Sequence, residues 1–194
     1  MARLSDLSVR QLYEAAGSTA PTPGGGSVTA LCGVLGIALI LKALRLTLRH
    51  HPELDAMASA VGPMQILAFA LETDADDDVA AFEAFIAASK SPHTDEAEIA
   101  ARSERMQRAA THAAEAAMRT MTHAIDAIAL ALDCQADVAS NVKADISAGV
   151  HLLRAVAQNA VDNARGNLQA LHEGPEREAL EDRLRSLERL SLSR

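Results

Sequence analysis

One stretch constrains the fold more than any other: a glycine loop, residues 21–27, is followed by fourteen residues without a charge, 28–41. The loop has the sequence Pro-Thr-Pro-Gly-Gly-Gly-Ser, and glycine permits backbone conformations that other residues avoid. An uncharged run of this length is more typical of a buried core helix than of a membrane span. We therefore expect a central helix over residues 27–49, with Ser27 as its N-cap.

The start of this helix has two interpretations. A helix N-terminus carries unpaired N–H groups and a partial positive charge, and glycines ahead of it let an anionic or carbonyl-bearing ligand approach the backbone. A simple tight turn into a core helix would use the same residues. The spacing of the residues leaves both interpretations open.

The composition favours an all-α fold. Hydrophobic residues make up 49% of the 194 residues, but aromatic residues make up only 2% and tryptophan is absent. The core must therefore consist of alanine, leucine, isoleucine, valine and methionine, and the alternation typical of strands is missing. We expect one domain over residues 1–174, within a bundle of about five or six helices. The spacing predicts helices over residues 4–16, 27–49, 64–89, 94–132 and 136–171.

The C-terminal residues 175–194 form a predicted amphipathic helix. Its apolar positions are Leu180, Leu184, Leu187 and Leu190, which recur three or four residues apart between charged residues. Such a stripe packs against an apolar surface. That surface belongs either to the same domain or to a second subunit.

The charge and the cysteines exclude several classes of partner. The net charge is −8, and no basic stripe is interleaved with aromatic residues, so we expect no nucleic-acid partner. The N-terminus lacks an apolar signal core, and we expect neither a membrane partner nor secretion. Cys32 and Cys134 lack metal-ligand spacing and are most simply reduced thiols of a cytoplasmic protein.

The glycine loop and its helix resemble a known family signature. The stretch PTPGGGSVTALCGVLGIALILKALRLT is similar to the opening of the formiminotransferase-cyclodeaminase C-terminal family, with Thr47 as that family's threonine about twenty residues on. The resemblance implies an all-α cyclodeaminase fold, a folate-type substrate and no redox or metal cofactor. It also implies a homodimer with the active site at a cleft near the subunit contact.

The resemblance also implies two catalytic carboxylates. Asp145 falls on the family's aspartate, and Asp78 begins the sequence DVAAF, which is similar to the family's Asp-x-x-Ala-Phe. From the residues alone, a cluster of five carboxylates such as Glu72 to Asp78 is usually a solvated helix face or a helix start. A carboxylate suits hydrolysis of a cationic one-carbon bridge because it can accept a proton from water and stabilise the cation.

Substrate-binding residues follow from the same resemblance. Amide side chains suit the amide and amino groups of a pterin ring. The glycine loop would bind the glutamate carboxylates or the pterin carbonyl, and basic residues would balance the charge of the glutamate tail. These candidates are Gly24, Gly25, Gly26 and Ser27 in the loop, Asn141, Asn163 and Asn167 as amides, and Arg165, Lys90 and Arg49 as counter-charges.

The implied reaction is hydrolysis of methenyltetrahydrofolate to formyltetrahydrofolate. One alternative is a formimidoyltetrahydrofolate cyclodeaminase. Another is a non-catalytic dimeric binding module, because His50-His51-Pro52 stands where the family has a Gly-Lys-Lys-x-Tyr loop. Convergence of Asp145, Asn163 and the glycine loop on one pocket would favour an enzyme.

Overall fold

The computed structural model describes residues 3–192, and within that range every regular element is helical. The prediction of an all-α fold with about five or six helices is confirmed. Residues 1, 2, 193 and 194, the ends of the two predicted domain ranges, lie outside the described residues. The helices are α1 (Val9–Ala16), α2 (Gly25–Leu48), α3 (Asp55–Ser89), α4 (Glu96–Cys134), α5 (Lys143–Gln169) and α6 (Pro175–Leu192).

Helices α2 to α5 form a four-helix bundle in which each helix packs on the next, and α5 closes the ring against α2. Contacts along the helices show that α2 runs antiparallel to both α3 and α5. Helix α6 packs on α4 and α5 and buries Leu180 and Leu184, so the first half of its apolar stripe is covered by its own chain, whereas Leu190 is 53% exposed. A domain boundary at residue 174 stays a prediction.

Helices α2 and α5 approach each other closely at a pair of glycines. A Cβ on Gly149 would lie 2.5 Å from the carbonyl oxygen of Gly36, closer than real Cβ contacts. The neighbouring Ile40 is fully buried. Small residues therefore set the spacing of these two helices, which fixes how their ends face each other.

The first turn of α2 differs from the prediction. Gly24, not Ser27, is the N-cap, and Ser27 is the third helical residue. The Ser27 hydroxyl accepts a hydrogen bond from the Gly24 N–H at 3.1 Å. This bond gives a partner to the main-chain donor just ahead of the helix. Ser27 is fully buried, which a solvent-facing cap would not be.

Helix α3 is longer than predicted because Pro63 does not end it. The helix begins at Asp55 and contains Pro63 in its interior. Met57, Ala60 and Met64 are buried on both sides of the proline, whereas Pro63 itself is exposed. Packing of the buried face therefore outweighs the loss of one backbone hydrogen bond at Pro63. Water can reach the carbonyl group that the proline leaves without a donor.

Two predicted helices were too long. The first predicted helix divides into a 3-10 turn, Leu4–Asp6, and α1, which Ser8 caps. Helix α5 begins only at Lys143, after a second 3-10 turn, Ser140–Val142. The residue before that turn, Ala139, is fixed by buried Thr47, whose hydroxyl accepts a hydrogen bond from the Ala139 N–H at 3.0 Å.

Helix α2 alone, among the described residues, is long and apolar enough to cross a membrane on length and composition. About half of its most apolar window, 56%, is buried inside the bundle. That burial fits the predicted role as a core helix of the bundle.

Candidate functional site

The glycine loop contacts α3 through Asp78. The Ser27 N–H, one of the unpaired donors at the start of α2, donates a hydrogen bond of 2.8 Å to Oδ2 of Asp78. The carboxylate therefore lies at the positive end of the α2 dipole. This contact brings two of the predicted site elements together.

Asp78 is partly buried between the helices. Burial raises the pKa of its carboxyl group above the ordinary value, and the hydrogen bonds from Ser27 offset part of that rise. A carboxylate with a raised pKa is a stronger base than one in water. It also gains a proton at a higher pH, so it can serve as an acid.

Gly26 separates Asp78 from Asn163. A Cβ added to Gly26 would lie 2.2 Å from Oδ1 of Asp78 and 2.5 Å from Nδ2 of Asn163. Both polar atoms therefore face the same small volume beside the glycine. A residue without a side chain is required here because any Cβ would displace them.

A narrow crevice opens at this point between α2, α3, α4 and α5. Its polar lining comes from four helices, and its remaining walls are small apolar residues. The polar residues are Thr29, Asp78, Thr120, Asn159 and Asn163; the others are Gly26, Ala116, Ala117, Val156 and Ala160.

The sequence analysis missed Thr29, Thr120 and Asn159. Asn159 accepts a hydrogen bond of 3.4 Å from Nδ2 of Asn163 and lies beside Gly25. Its spacing was a usable signal, since Asn159, Asn163 and Asn167 are each four residues apart and lie on one helix face. Asn167 is half-buried one turn beyond Asn163, outside the crevice lining.

The C-terminal part of α3 extends past the crevice and past the N-terminus of the antiparallel helix α2. From Asp78 it continues eleven residues to Ser89, roughly 16 Å. On the same side, Thr22 of the glycine loop contacts Glu83. The glycine loop and the C-terminal part of α3 therefore lie next to each other, beside the crevice.

The carboxylates around Asp78 are paired, so the interpretation as a simply solvated face is wrong. Asp74 is buried and contacts Nδ1 of His123 at 2.7 Å, and Asp77 pairs with Arg119 at 3.0 Å. Arg3 contacts both Glu72 and Asp76. Of the five, Asp78 is the one that lines the crevice.

Asp145 does not meet Asp78 within one chain, contrary to the expectation of one shared pocket. It lies in the first turn of α5 and pairs with Lys42 at 2.9 Å. Eighteen residues of continuous helix separate it from Asn163, which is roughly 27 Å. Because α2 and α5 are antiparallel, Asp145 is at the opposite end of the bundle from the glycine loop.

Four other predicted residues also lie away from the crevice. Asn141 and Arg49 are exposed near the Asp145 end, in the 3-10 turn before α5 and just after α2. Arg165 pairs with Glu188 of α6 at 2.5 Å, on a different side of α5 from Asn163. Lys90 is exposed just after the end of α3.

The arrangement in the crevice suits proton transfer to or from a bound electrophile. A partly buried carboxylate with one free oxygen adjoins amide groups that can both donate and accept hydrogen bonds. Within residues 3–192, no three histidine, cysteine, aspartate or glutamate side chains come close enough to hold a metal ion.

Comparison with known proteins agrees with this fold and with the signature at its centre. The family model described as formiminotransferase-cyclodeaminase matches residues 8–186. The methenyltetrahydrofolate cyclohydrolase of Methylorubrum extorquens is 30% identical over 190 residues, which cover 94% of this chain and 88% of that protein. The crystal structure of formiminotetrahydrofolate cyclodeaminase from Thermotoga maritima superimposes with a TM-score of 0.82 at 24% identity, covering 97% of this chain and 92% of that one. The family resemblance is confirmed: this chain belongs to the formiminotransferase-cyclodeaminase family.

Proposed function

We propose that the protein hydrolyses methenyltetrahydrofolate to formyltetrahydrofolate. The observation that carries the proposal is the convergence of the glycine loop, Asp78 and Asn163 on one crevice. The 30% identical relative from Methylorubrum extorquens is named for this reaction and covers nearly the whole chain. Family membership supports the coarser assignment to folate one-carbon chemistry of the cyclohydrolase or cyclodeaminase type.

The chemistry of the substrate fits the crevice. The methenyl bridge is a cationic carbon between two nitrogens, and the ionised Asp78 stabilises that charge. Asp78 then accepts a proton from the attacking water, which forms a C–O bond. Cleavage of the bond between the carbon and N5 leaves the formyl group on N10, N5 carries a hydrogen, and one proton is released overall.

The pterin ring is proposed to lie above the crevice rather than within it. Asn163 and Asn167 would bind its amide and amino groups, and the start of α2 would bind its carbonyl or a glutamate carboxylate. Among the basic candidates, Lys90 directly follows the end of α3, on this side of the bundle. It is therefore the proposed counter-charge for the glutamate tail.

A cyclodeaminase reaction is the second candidate. There an internal amine attacks and ammonia leaves, so the site must supply a proton. The raised pKa of Asp78 favours such a role, because the carboxyl group holds its proton at a higher pH than an ordinary aspartate does. A non-catalytic binding module is the third candidate, favoured only by the remote position of Asp145.

A homodimer would explain why Asp145 lies far from the crevice of its own chain. The outer face of α2 is apolar over much of its length, with Leu35 at its centre 62% exposed. Gly26 and Lys42 lie on opposite sides of Leu35, roughly 13.5 Å and roughly 10.5 Å away along the helix. A two-fold axis near Leu35 would therefore place the Lys42–Asp145 pair of one subunit opposite the glycine loop of the other. Asn141 and Arg49 lie near the same pair and would enter the site with it.

No metal or redox cofactor is proposed, because the carboxylate and amide groups suffice for this hydrolysis. The proposed location is the cytoplasm. This fits the free thiols of Cys32 and Cys134, one half-buried and one buried.

The test of the proposal is the decay of methenyltetrahydrofolate absorbance with purified protein. Decay faster than the buffer rate, with formyltetrahydrofolate as product, is expected. Ammonia release from formimidoyltetrahydrofolate, without methenyl hydrolysis, would instead identify the cyclodeaminase. A folded protein inactive toward both substrates would favour the binding module.

A further inference from the structure

The size of the crevice limits what it can hold. The space that the centre of a water molecule can occupy there is about 10 Å³. One buried water requires roughly 10–15 Å³ by this measure, whereas pockets for whole ligands are typically 300–1,000 Å³. The crevice therefore has room for about one water and none for a pterin ring.

The polar groups of the crevice match the hydrogen-bonding needs of a single water. Oδ2 of Asp78 accepts the Ser27 N–H, so Oδ1, which faces Gly26, is free to accept. The Thr120 hydroxyl donates to the carbonyl of Ala116 at 3.2 Å and keeps its own lone pairs for accepting. The Asn159 amide, whose oxygen already accepts from Asn163, has N–H groups left to donate. These groups give a water two acceptors and one donor, within the two to four partners that buried waters have.

We propose that the crevice holds the water that attacks the methenyl carbon, with Asp78 as its base and Thr120 and Asn159 as positioning residues. This inference rests on the proposed hydrolysis. The water donates one hydrogen to Asp78 and one to Thr120, and its remaining lone pair forms the C–O bond. The hydrogen accepted by Asp78 passes to N5 as the bond between N5 and the carbon breaks, and the hydroxyl hydrogen leaves to solvent as the formyl carbonyl forms.

The walls explain why the water would be held rather than exchanged freely. Ala116, Ala117, Val156 and Ala160 supply no polar atoms from their side chains. A low-dielectric surrounding strengthens the interaction between the carboxylate and the water. The substrate ring would close the open side of the crevice.

Thr120→Val tests the positioning role because it keeps the side-chain shape and removes the hydroxyl. We expect kcat for methenyltetrahydrofolate hydrolysis to fall roughly 10- to 100-fold, since a displaced nucleophile loses its alignment. KM should change by less than about twofold, because the pterin contacts are intact. Thr120→Ser should restore most of the lost kcat.

Thr122→Val is the matched control. Thr122 makes the same kind of bond on α4, to the carbonyl of Met118 at 2.8 Å, but it does not line the crevice. If Thr120→Val and Thr122→Val both match the wild type, the water site is refuted while the proposed hydrolysis stands. A wild-type protein without hydrolysis would refute both.

A crystal structure of the wild-type protein gives a readout independent of activity. We expect an ordered water within hydrogen-bond distance of both Asp78 Oδ1 and Thr120 Oγ1, displaced or absent in Thr120→Val. A dry crevice in a well-ordered wild-type structure would overturn the inference.

Discussion

Asp78 of α3 accepts a hydrogen bond of 2.8 Å from the main-chain N–H of Ser27, in the first turn of α2. This bond joins an acidic side chain to the glycine loop across 51 residues of sequence. It serves two purposes, because it satisfies a helix-terminal donor and fixes the orientation of the carboxylate. The remaining carboxylate oxygen then faces Gly26 and Asn163.

Gly26→Ala should strongly reduce activity with little loss of fold. The added Cβ would displace Asp78 or Asn163, since it would lie 2.2 Å and 2.5 Å from their polar atoms. We expect kcat/KM to fall by about 100-fold or more. Steady-state kinetics beside Gly166→Ala provide the comparison, because a Cβ at Gly166 meets open space. Equal activity in the two variants would show that the site does not depend on this close approach.

Gly149→Ala should destabilise the bundle. Its Cβ would lie 2.5 Å from the Gly36 carbonyl and 2.6 Å from Ile40, so α2 and α5 would have to separate. Overpacking of this kind costs about 1–3 kcal/mol of the free energy of unfolding. Urea denaturation measures the change. By contrast, Gly166→Ala lies in an exposed part of α5 and should stabilise it by about 0.5–1 kcal/mol. A Gly149→Ala protein as stable as wild type would contradict the close helix contact.

The acid limb of the pH–rate profile should lie above the ordinary aspartate value. Asp78 acts as a base only when ionised, and burial raises its pKa above 3.8. Activity should therefore fall as the pH decreases through this raised pKa. An acid limb at or below 3.8 would argue against Asp78 as the base.

The raised pKa of Asp78 affects stability in the opposite direction to activity. Because the folded-state pKa exceeds the unfolded one, the folded state binds the proton more tightly, so Asp78 favours folding more as the pH falls through that range. Comparing the pH dependence of the melting temperature in wild type and Asp78→Asn isolates this contribution. The difference between the two proteins should shrink as the pH falls.

Leu35→Glu should convert the proposed dimer to monomers. A charge at the centre of the outer face of α2 would be buried without a partner in the dimer. Analytical ultracentrifugation measures the association state. Ile66→Glu is the control, because Ile66 is 71% exposed but lies on α3. A wild-type monomer, or a Leu35→Glu dimer, would contradict this interface.

Mixed dimers test the shared site separately. Asp78→Asn and Asp145→Asn proteins should each lose most of their activity. When subunits of the two are exchanged, a mixed dimer contains one site with both carboxylates intact, so activity should reappear. No recovery after verified exchange would show that Asp145 does not act in the partner's site.

The local features of the fold could be predicted from the sequence. The glycine loop and the uncharged run gave the position of α2 to within two residues at its start, because both signals are local. Pro63 misled the prediction of α3, since buried residues on both sides decide whether a helix tolerates a proline. Those contacts are formed by other helices and have no local signal.

The candidate site was only partly accessible to the sequence. Asp78 and Asn163 followed from the family pattern, but their contact with Gly26 depends on how three helices meet. Thr120 carries no motif and enters the site only through packing. The separation of Asp145 from Asn163 was predictable in principle, because eighteen residues of one helix cannot bring its ends together.

The most direct test of the central claim compares Asp78→Asn with Asp77→Asn in the methenyltetrahydrofolate absorbance assay. Asparagine keeps an acceptor for the Ser27 N–H but cannot accept the proton from water, so hydrolysis should fall by about 10²- to 10⁴-fold. The melting temperature of Asp78→Asn should be retained or raised at neutral pH, because a partly buried charge is removed. Asp77→Asn loses only an ion pair with Arg119 at the helix surface and should keep near wild-type activity. Equal rates for wild type and a folded Asp78→Asn protein would contradict the assignment of Asp78 as the base.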